Sequence, residues 1–296
     1  MGLRHCIAGF FIASALCGGA SGQGAWTQAD ITVEKDVTLR VIDGGDRNAR
    51  TTILFVPGWG MTTAVWRDAM SAFASRARVV SLDPRSQGFS TVAPRGNTPE
   101  RRAVDLHEVI KALALDKVVL VGWSQGVQDV AAYAAAFEGE RVAGYVLVDS
   151  SLGAGPAAAM SPPAAMQQQL ERMSVYARYP REYLRGMMNA IIQSPAGKAR
   201  IDEFVELGLR TPPDLGIGML MMDFVLIDRR PALKKFNRPT LVIAAEGPDA
   251  ESQRAMAQQV GGAQFETVAQ AGHALFLDQP EKFNALLAKF LARLGA

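Results

Sequence analysis

The sequence contains few cysteines, and their positions matter. Only Cys6 and Cys17 occur among the 296 residues, and both fall in an N-terminal segment that we expect to be removed. A mature chain without thiols has no cysteine nucleophile, no thiolate metal site and no disulfide. These three kinds of chemistry are therefore excluded, and the lack of a disulfide fits a bacterial periplasm or the external medium.

The N-terminal segment has the pattern of a secretory signal peptide. Arg4 and His5 give it a basic start, an apolar stretch runs from about Cys6 to Leu16, and small residues follow at Ala20–Gly22. The apolar stretch is too short for a membrane span, which needs roughly 20 residues. We therefore expect residues 1–22 to be cleaved and the protein to be periplasmic or secreted in a bacterium, without stable membrane insertion.

Histidine is similarly scarce. His5 leaves with the predicted signal peptide, His107 lies in a predicted helix among charged neighbours where we expect a solvated side chain, and His273 lies in a predicted loop. Two remaining histidines do not make a histidine-rich metal centre, and there is no His-Glu-x-x-His motif. A glycine-rich dinucleotide or phosphate loop is also absent, so we predict neither a metal nor a cofactor.

The chain has no strong excess of charge of either sign. Its formal net charge is +2, and loss of Arg4 with the signal peptide lowers this by one to +1. The pairs Arg101–Arg102 and Arg229–Arg230 have no aromatic residues interleaved, so we interpret them as solvated surface. We therefore predict no nucleic-acid partner, and the oligomeric state stays open.

The apolar segments alternate in type along the chain. Residues 31–43 alternate apolar and polar side chains, which is typical of an antiparallel edge hairpin. Helical patterns occupy 63–76 and 98–114, the second with Thr98 as N-cap and Pro99 at the first helical position. Short runs rich in Val, Ile and Leu, typical of parallel strands buried on both faces, are TTILFVPG, RVVSLDP, KVVLVGWS, VAGYVLVDS, PTLVIAAE and AQFETVAQAGH. We predict an α/β fold with a mainly parallel sheet flanked by helices.

The alternation is interrupted between residues 151 and 230, where helix-like stretches occur without a convincing buried strand. Because this segment is too long for a loop, we assign 151–230 to a helical cap and 23–150 with 231–296 to the α/β core. Its methionines are interpreted as packing residues, with an adaptable apolar substrate pocket as the alternative. They are Met160, Met166, Met173, Met187, Met188, Met219, Met221 and Met222.

A serine between two glycines follows one of the buried runs and precedes an alanine-rich helical stretch. The order Gly122-Trp123-Ser124-Gln125-Gly126 fits a nucleophile elbow, in which a tight strand-to-helix turn exposes the serine and leaves no room for side chains two residues away. The alternative is an ordinary helix-capping serine. The strand before and the helix after favour Ser124 as a nucleophile, and we expect Trp123 to be a core residue.

The chain resembles the α/β-hydrolase superfamily over most of residues 31–296. Besides the elbow, the resemblance rests on FVPGWGMTTAVW, similar to the oxyanion-loop segment, on DPRSQGFS, similar to a D-x-R-G-x-G-x-S stretch, and on AGHALFLDQPEKF, similar to the catalytic-histidine segment. Pro57 stands where many members have His, and Ser86 replaces a Gly. The resemblance implies an α/β-hydrolase fold with a helical cap and a serine hydrolase of the esterase or haloperoxidase type.

The resemblance also implies a catalytic triad in the chain order serine, acid, histidine. Ser124 and His273 take the first and last places. Asp249, on the loop after PTLVIAAE, is the preferred acid, and Asp149 and Glu246 are the alternatives. The position of the acid after one strand or the next is thus left open.

The remaining site residues are predicted from position. Backbone N–H groups of Trp59 and Gln125 would bind the oxyanion, and the Trp59 side chain could instead form a pocket wall. We predict a secreted serine hydrolase that cleaves a small-molecule carboxylic ester in a mainly apolar site. A haloperoxidase or perhydrolase, a lactonase, a C–C hydrolase and an aminopeptidase use the same triad and stay as alternatives, and a binding protein without activity is the alternative outside the enzymes.

Overall fold

The computed structural model of the protein describes residues 26–295. The predicted signal peptide, residues 1–22, and both cysteines lie outside the described residues. Among residues 26–295, no helix combines the length and the apolar character that crossing a bilayer requires.

Within residues 26–295, eight strands form one sheet in the order β1-β2-β4-β3-β5-β6-β7-β8. The strands are β1 Thr27–Glu34, β2 Val37–Gly45, β3 Thr52–Val56, β4 Arg78–Leu82, β5 Val118–Trp123, β6 Val142–Val148, β7 Thr240–Ala245 and β8 Gln264–Val268. The pairs β1–β2 and β2–β4 are antiparallel, and all later pairs are parallel. The edge hairpin and the mainly parallel sheet predicted from the sequence are confirmed.

Helices cover both faces of the sheet. They are α1 Arg67–Phe73, α2 Pro99–Ala112, α3 Gln125–Phe137, α4 Gly155–Ala159, α5 Pro163–Arg178, α6 Pro180–Ile191, α7 Pro195–Lys198, α8 Ile201–Gly208, α9 Pro213–Leu220, α10 Ala250–Gln258, α11 Leu275–Asp278 and α12 Pro280–Arg293. The predicted start of α2 is confirmed, because the Thr98 side chain accepts a hydrogen bond from the Arg101 N–H and Pro99 is the first helical residue. The strand and helix alternation of the sequence thus gives the layered architecture.

The central strands are buried on both faces, which explains their unbroken apolar sequence. In β5, Leu120 faces one core cluster together with Leu106 of α2, and Val121 faces the other together with Phe73 of α1. All four side chains are 0–1% exposed. Burying a side chain of this size stabilises the fold by about 1.5–3 kcal/mol, so β5 is firmly held where it ends at Trp123.

Several polar side chains on and near α2 that were predicted to be solvated are buried or half-buried. Arg102 and Arg229 are 2% and 6% exposed, so the interpretation of both arginine pairs as solvated surface is wrong for these two residues. His107, also predicted to be solvated, is half-buried and stacks on Phe137 with ring centroids 4.1 Å apart. Acidic or aromatic partners distant in sequence cover these side chains, and local sequence does not reveal them.

Residues 151–230, which we call the cap segment, leave the sheet after β6 and return before β7. Helices α4–α9 lie in this segment, and the two ends meet because the Arg229 N–H donates to the Gly153 carbonyl at 2.8 Å. The two ends of the segment are therefore held together at its base.

The methionines of the cap segment divide into three sets by exposure. Met173, Met188 and Met219 are at most 5% exposed and belong to the core cluster, as packing residues would. Met160 is 58% exposed and packs poorly. The others are partly buried: Met166, Met187, Met221 and Met222.

Candidate active site

Ser124 lies at the turn between β5 and α3. The strand ends at Trp123 and the helix begins at Gln125, so Ser124 is the only residue between them. Its backbone angles are φ 56° and ψ −115°, a conformation that side-chain-bearing residues rarely adopt. Strain of this kind persists where surrounding structure enforces it and is frequent at active sites.

The two glycines of the turn are required by close backbone contacts. A Cβ on Gly122 would lie 2.4 Å from the carbonyl oxygen of Gly126, and a Cβ on Gly126 would lie 2.5 Å from the carbonyl oxygen of Val56. Both distances are far below van der Waals contact. The spacing of glycines in the sequence therefore reflects the tight packing that holds Ser124 in its conformation.

His273 lies in the loop between β8 and α11. The Trp123 indole, directly before Ser124 in sequence, donates to the His273 carbonyl at 2.9 Å, and the two rings are 5.3 Å apart. On the other side, Ala274 N–H donates to the Ile191 carbonyl of the cap segment at 3.0 Å. The histidine loop is thus attached both to the elbow and to the cap segment.

Asp149 is the carboxylate paired with His273. It follows the last residue of β6, and its Oδ2 lies 2.8 Å from His273 Nδ1. Its Oδ1 accepts from the Ala245 N–H at 2.8 Å and from Gln253 Nε2 at 3.0 Å. The residue is only 8% exposed, so hydrogen bonds replace the water that the carboxylate has lost.

These contacts also determine the charge of Asp149. Burial raises the pKa of its carboxyl, but the hydrogen bond and charge of His273, together with hydrogen bonds from Gln253 and Ala245, lower the pKa more. The net pKa lies below the ordinary value of 3.8. Asp149 is therefore ionised at neutral pH and suited to hold an N–H of the imidazole.

The structure does not bring Asp249, the acid preferred from the sequence, to His273. Asp249 is exposed and immediately precedes α10, and its backbone already has helical angles of φ −78° and ψ −15°. Its side chain makes no capping hydrogen bond to α10, and the place beside His273 Nδ1 is taken by Asp149. Glu246, the other alternative on that loop, is exposed as well. The preference for Asp249 is therefore corrected to Asp149.

Of the two backbone amides predicted to bind an oxyanion, that of Gln125 directly follows Ser124, and that of Trp59 follows Gly58, where an added Cβ would lie 3.1 Å from the Ser124 Cβ. In the described part of the chain, neither the Trp59 N–H nor the Gln125 N–H donates a hydrogen bond. The next amide, that of Gly60, is engaged by Gln87 Oε1 and is not free. The Trp59 side chain is 6% exposed and donates from Nε1 to the Gly216 carbonyl of the cap segment at 2.8 Å, so it is a packing and anchoring residue.

Two further residues support the site and were not identified from the sequence. Gln253 holds Asp149, and Asp278 accepts from the Gly272 N–H at 2.8 Å, next to His273. Gln253 has a helical spacing to the buried Met256 and Ala257, which would have indicated an inward-facing side chain. Asp278 lies within the histidine segment of the sequence, but nothing local indicates its burial.

Two curated proteins show what the chain resembles in sequence. It is 32% identical over 121 residues to a bifunctional esterase/perhydrolase of Acinetobacter calcoaceticus, a match that covers 40% of this chain and 44% of that protein. It is 26% identical over 267 residues to an AB hydrolase superfamily protein of Bacillus subtilis, covering 88% and 97% of the two chains. The first match thus spans less than half the length of the relative.

Solved structures are similar over a larger part of the chain. A bromoperoxidase from Bacillus anthracis matches with a TM-score of 0.80 at 19% identity, covering 90% of this chain and 99% of that one. A thermophilic esterase from Thermogutta terrifontis matches with a TM-score of 0.75 at 24% identity, covering 91% and 99%. At these identities the likeness shows the shared fold.

The chain also matches the model of a protein family. The model of the alpha/beta hydrolase family covers residues 53–286, well over half of the chain. That range includes Ser124, Asp149 and His273, as well as the whole cap segment. The chain therefore belongs to the alpha/beta hydrolase family.

Proposed function

We propose that this hydrolase-family enzyme cleaves small-molecule carboxylic esters through Ser124, His273 and Asp149. The observation that carries the proposal is the hydrogen bond between Asp149 Oδ2 and His273 Nδ1. Asp149 follows β6, the neighbour of β5 in the sheet, and the His273 carbonyl accepts from the Trp123 indole directly before Ser124. An ionised, buried carboxylate on Nδ1 selects the tautomer that leaves Nε2 unprotonated. His273 is then a base on the side away from Asp149.

In the first half of the reaction, the Ser124 Oγ attacks the ester carbonyl while His273 Nε2 takes the hydroxyl proton. The new Oγ–C bond gives a tetrahedral oxyanion. When this collapses, the C–O bond to the alcohol breaks and the alcohol leaves with the proton held by His273. In the second half, water attacks the acyl-serine, His273 takes its proton, and the acid leaves as Ser124 recovers its hydrogen.

The oxyanion would lie between the amides of Trp59 and Gln125. Both are unpaired within the described residues, and the Gln125 amide is at the N-terminus of α3, where the helix dipole favours negative charge. Loss of one such donor typically costs about 3 kcal/mol of transition-state stabilisation. Backbone donors require no particular side chain, which is why the proposal assigns them by position.

An apolar acyl site is proposed next to these donors. Tyr176 and Tyr183 of the cap segment pack against Trp59, with ring centroids 5.0 and 6.3 Å away. Partly buried Met187 and Leu215 adjoin the same cluster. Aromatic and aliphatic side chains of this kind favour apolar acyl chains of short-to-medium length over charged ones.

Export belongs to the proposal as well, on the sequence pattern of residues 1–22. Expression of the full chain in a bacterium with an export system should yield periplasmic or secreted protein. Mass spectrometry should find an N-terminus close to residue 23. Cytoplasmic protein that keeps Met1 would contradict export.

The catalytic proposal is tested by labelling and by ester hydrolysis. A fluorophosphonate probe should label the folded wild-type protein and not Ser124→Ala, and the same pair should differ by several orders of magnitude on p-nitrophenyl acetate and butyrate. Folded protein that fails to label, or turnover that survives Ser124→Ala, would overturn the role of Ser124. A panel of p-nitrophenyl esters tests the site, and a preference for a charged acyl group would overturn its apolar character.

A further inference from the structure

A line of buried polar side chains begins beside Ser124. It connects the cap segment to the loop of Trp59 and Gly60, which we call the oxyanion loop. Gln87 follows β4, Gln125 begins α3, and Asp223 belongs to the cap segment. All three are 0% exposed. Such groups are costly to bury unless each is hydrogen-bonded, so their mutual contacts determine where they lie.

The hydrogen bonds of this line run in one direction. The Gly60 N–H donates to Gln87 Oε1, Gln87 Nε2 donates to Gln125 Oε1 at 2.9 Å, and Gln125 Nε2 donates to Asp223 Oδ2. The other oxygen, Oδ1, accepts from Arg102 Nη2 at 2.8 Å. We call Gln87, Gln125 and Asp223 the amide relay.

Both ends of the amide relay require this direction. A backbone N–H only donates, so Gln87 must present its oxygen to Gly60 and its NH₂ group to Gln125. A guanidinium also only donates, so Asp223 must accept from Arg102, and its second oxygen is left to accept from Gln125. The carboxylate thus fixes the orientation of both glutamine amides, and through them an acceptor for the loop of Gly60.

We propose that Asp223 is a positioning residue for the reaction: through Gln125 and Gln87 it holds the Gly60 amide, and with it the Trp59 amide that receives the oxyanion. This inference rests on the proposed ester hydrolysis. Asp223 itself touches no reacting atom. A cap-segment side chain thereby fixes the geometry of a donor in the loop of Trp59 and Gly60.

A second contact links the same two regions. The Trp59 indole donates to the Gly216 carbonyl of the cap segment, so the oxyanion loop is held from its side chain as well as from its backbone. Asp223 is in turn secured by Arg102, and its own carbonyl accepts from Arg229 Nη1 at 3.2 Å. The seating of the cap segment and the position of the oxyanion donors are therefore coupled.

The direction of the relay gives a specific test. In Asp223→Asn, the new side chain keeps its oxygen on Arg102 and turns its NH₂ group to Gln125. Gln125 must then present its oxygen to residue 223 and its NH₂ to Gln87, and Gln87 turns its NH₂ toward the Gly60 N–H. Two donors face each other, so the loop moves.

Asp223→Asn should lower kcat on p-nitrophenyl butyrate by roughly 10- to 100-fold, a part of the loss expected when an oxyanion donor is removed outright. KM should change little. The affinity for butylboronic acid, whose tetrahedral serine adduct needs the oxyanion donors, should fall by a similar factor.

The rescue experiment moves the carboxylate along the relay. Gln87→Glu alone places a carboxylate against Gln125 Oε1, so two acceptors meet and kcat should fall. Combined with Asp223→Asn, the glutamate accepts from both the Gly60 N–H and the NH₂ of the reversed Gln125. The double variant should therefore recover at least tenfold in kcat over either single variant. Losses that simply multiply in the double variant would overturn the proposal.

Asp129→Asn is the matched control. Asp129 is 1% exposed and accepts from Arg102 Nε at 2.9 Å, so it shares the arginine but not the path to the oxyanion loop. It should lower the melting temperature about as much as Asp223→Asn and leave kcat within about threefold. Equal kcat losses in the two variants would reduce Asp223 to a structural role. Failure of the proposed ester hydrolysis through Ser124 would give a different result, because only in that case would Ser124→Ala stay active.

Discussion

Two neighbouring loops at the carboxyl end of the sheet each carry an aspartate, and the two are used differently. Asp149, after β6, is 8% exposed and bonded to His273, Ala245 and Gln253. Asp249, after β7, is exposed and serves as the residue before α10. The same residue type is buried and oriented in one loop and solvated in the next.

The comparison shows that a carboxylate that orients a histidine needs hydrogen-bond donors around it as well as a suitable position in the fold. A buried carboxylate is costly unless its lone pairs are occupied, and the elements on either side of the second loop supply two of the three donors to Asp149. Ala245 ends β7 and Gln253 lies on α10. The strand and helix that flank the loop after β7 thus contribute hydrogen bonds to the site, while the loop after β6 contributes the charge.

The largest expected effect comes from removing that charge. Asp149→Asn should fold and be exported but lose on the order of 10⁴ in kcat, because the amide favours the imidazole tautomer with Nε2 protonated. Steady-state kinetics with p-nitrophenyl butyrate measure the loss. Circular dichroism should show an unchanged fold. A variant that keeps within tenfold of wild-type kcat would remove Asp149 from the triad.

The parts of the fold and site that were predictable are those with local patterns. The strand runs, the N-cap at Thr98 and the turn at Ser124 each depend on residues a few positions apart, and the structure has them where the sequence indicates. His273 was predicted from the resemblance of its segment to a catalytic-histidine segment, with support from the scarcity of histidines. Its partner was not, because Asp149 lies 124 positions away and two loops offered candidates.

The buried ion pairs were missed for the same reason. Arg102 reads as half of an exposed basic pair until Asp223, 121 positions later, is brought against it. Adjacent residues on an α-helix point about 100° apart, and here Arg101 is 28% exposed at its side chain while Arg102 is 2% exposed. Local sequence predicts the helix, but it does not reveal the distant partner against which one face of the helix is buried.

A smaller effect is expected from the donor on α10. Gln253→Leu removes the Gln253 hydrogen bond to Asp149 Oδ1, so one oxygen of the carboxylate has only the Ala245 N–H. Hydrogen bonds to charged groups contribute about 1.5–3 kcal/mol, and we expect kcat to fall roughly tenfold. Gln259→Leu, at the exposed residue directly after the same helix, is the control and should leave kcat unchanged. Equal activity of the two variants would show that Asp149 does not depend on α10.

The charge of Asp149 should also appear in the pH dependence of stability. Its pKa in the folded protein lies below the unfolded value of 3.8, so the ionised form stabilises the fold above pH 3.8 and this contribution is lost as pH falls through the folded pKa. We expect the free energy of unfolding of the wild type, measured with urea, to fall relative to that of Asp149→Asn as the pH is lowered from 6 to about 3. A difference that is constant with pH would contradict the lowered pKa.

The smallest expected effect comes from substituting Asp249, the exposed aspartate of the two. Asp249→Asn replaces an exposed carboxylate whose side chain makes no capping hydrogen bond to α10, and exposed substitutions of this kind change stability by less than about 0.5 kcal/mol. The backbone carbonyl that accepts from Ser252 Oγ is retained. We expect kcat within about twofold of wild type and the same for Glu246→Gln, measured in one series with Asp149→Asn. A loss at Asp249 comparable to that at Asp149 would mean that the loop after β7 moves to supply the acid during turnover, because the resting positions of the two carboxylates give only Asp149 access to His273.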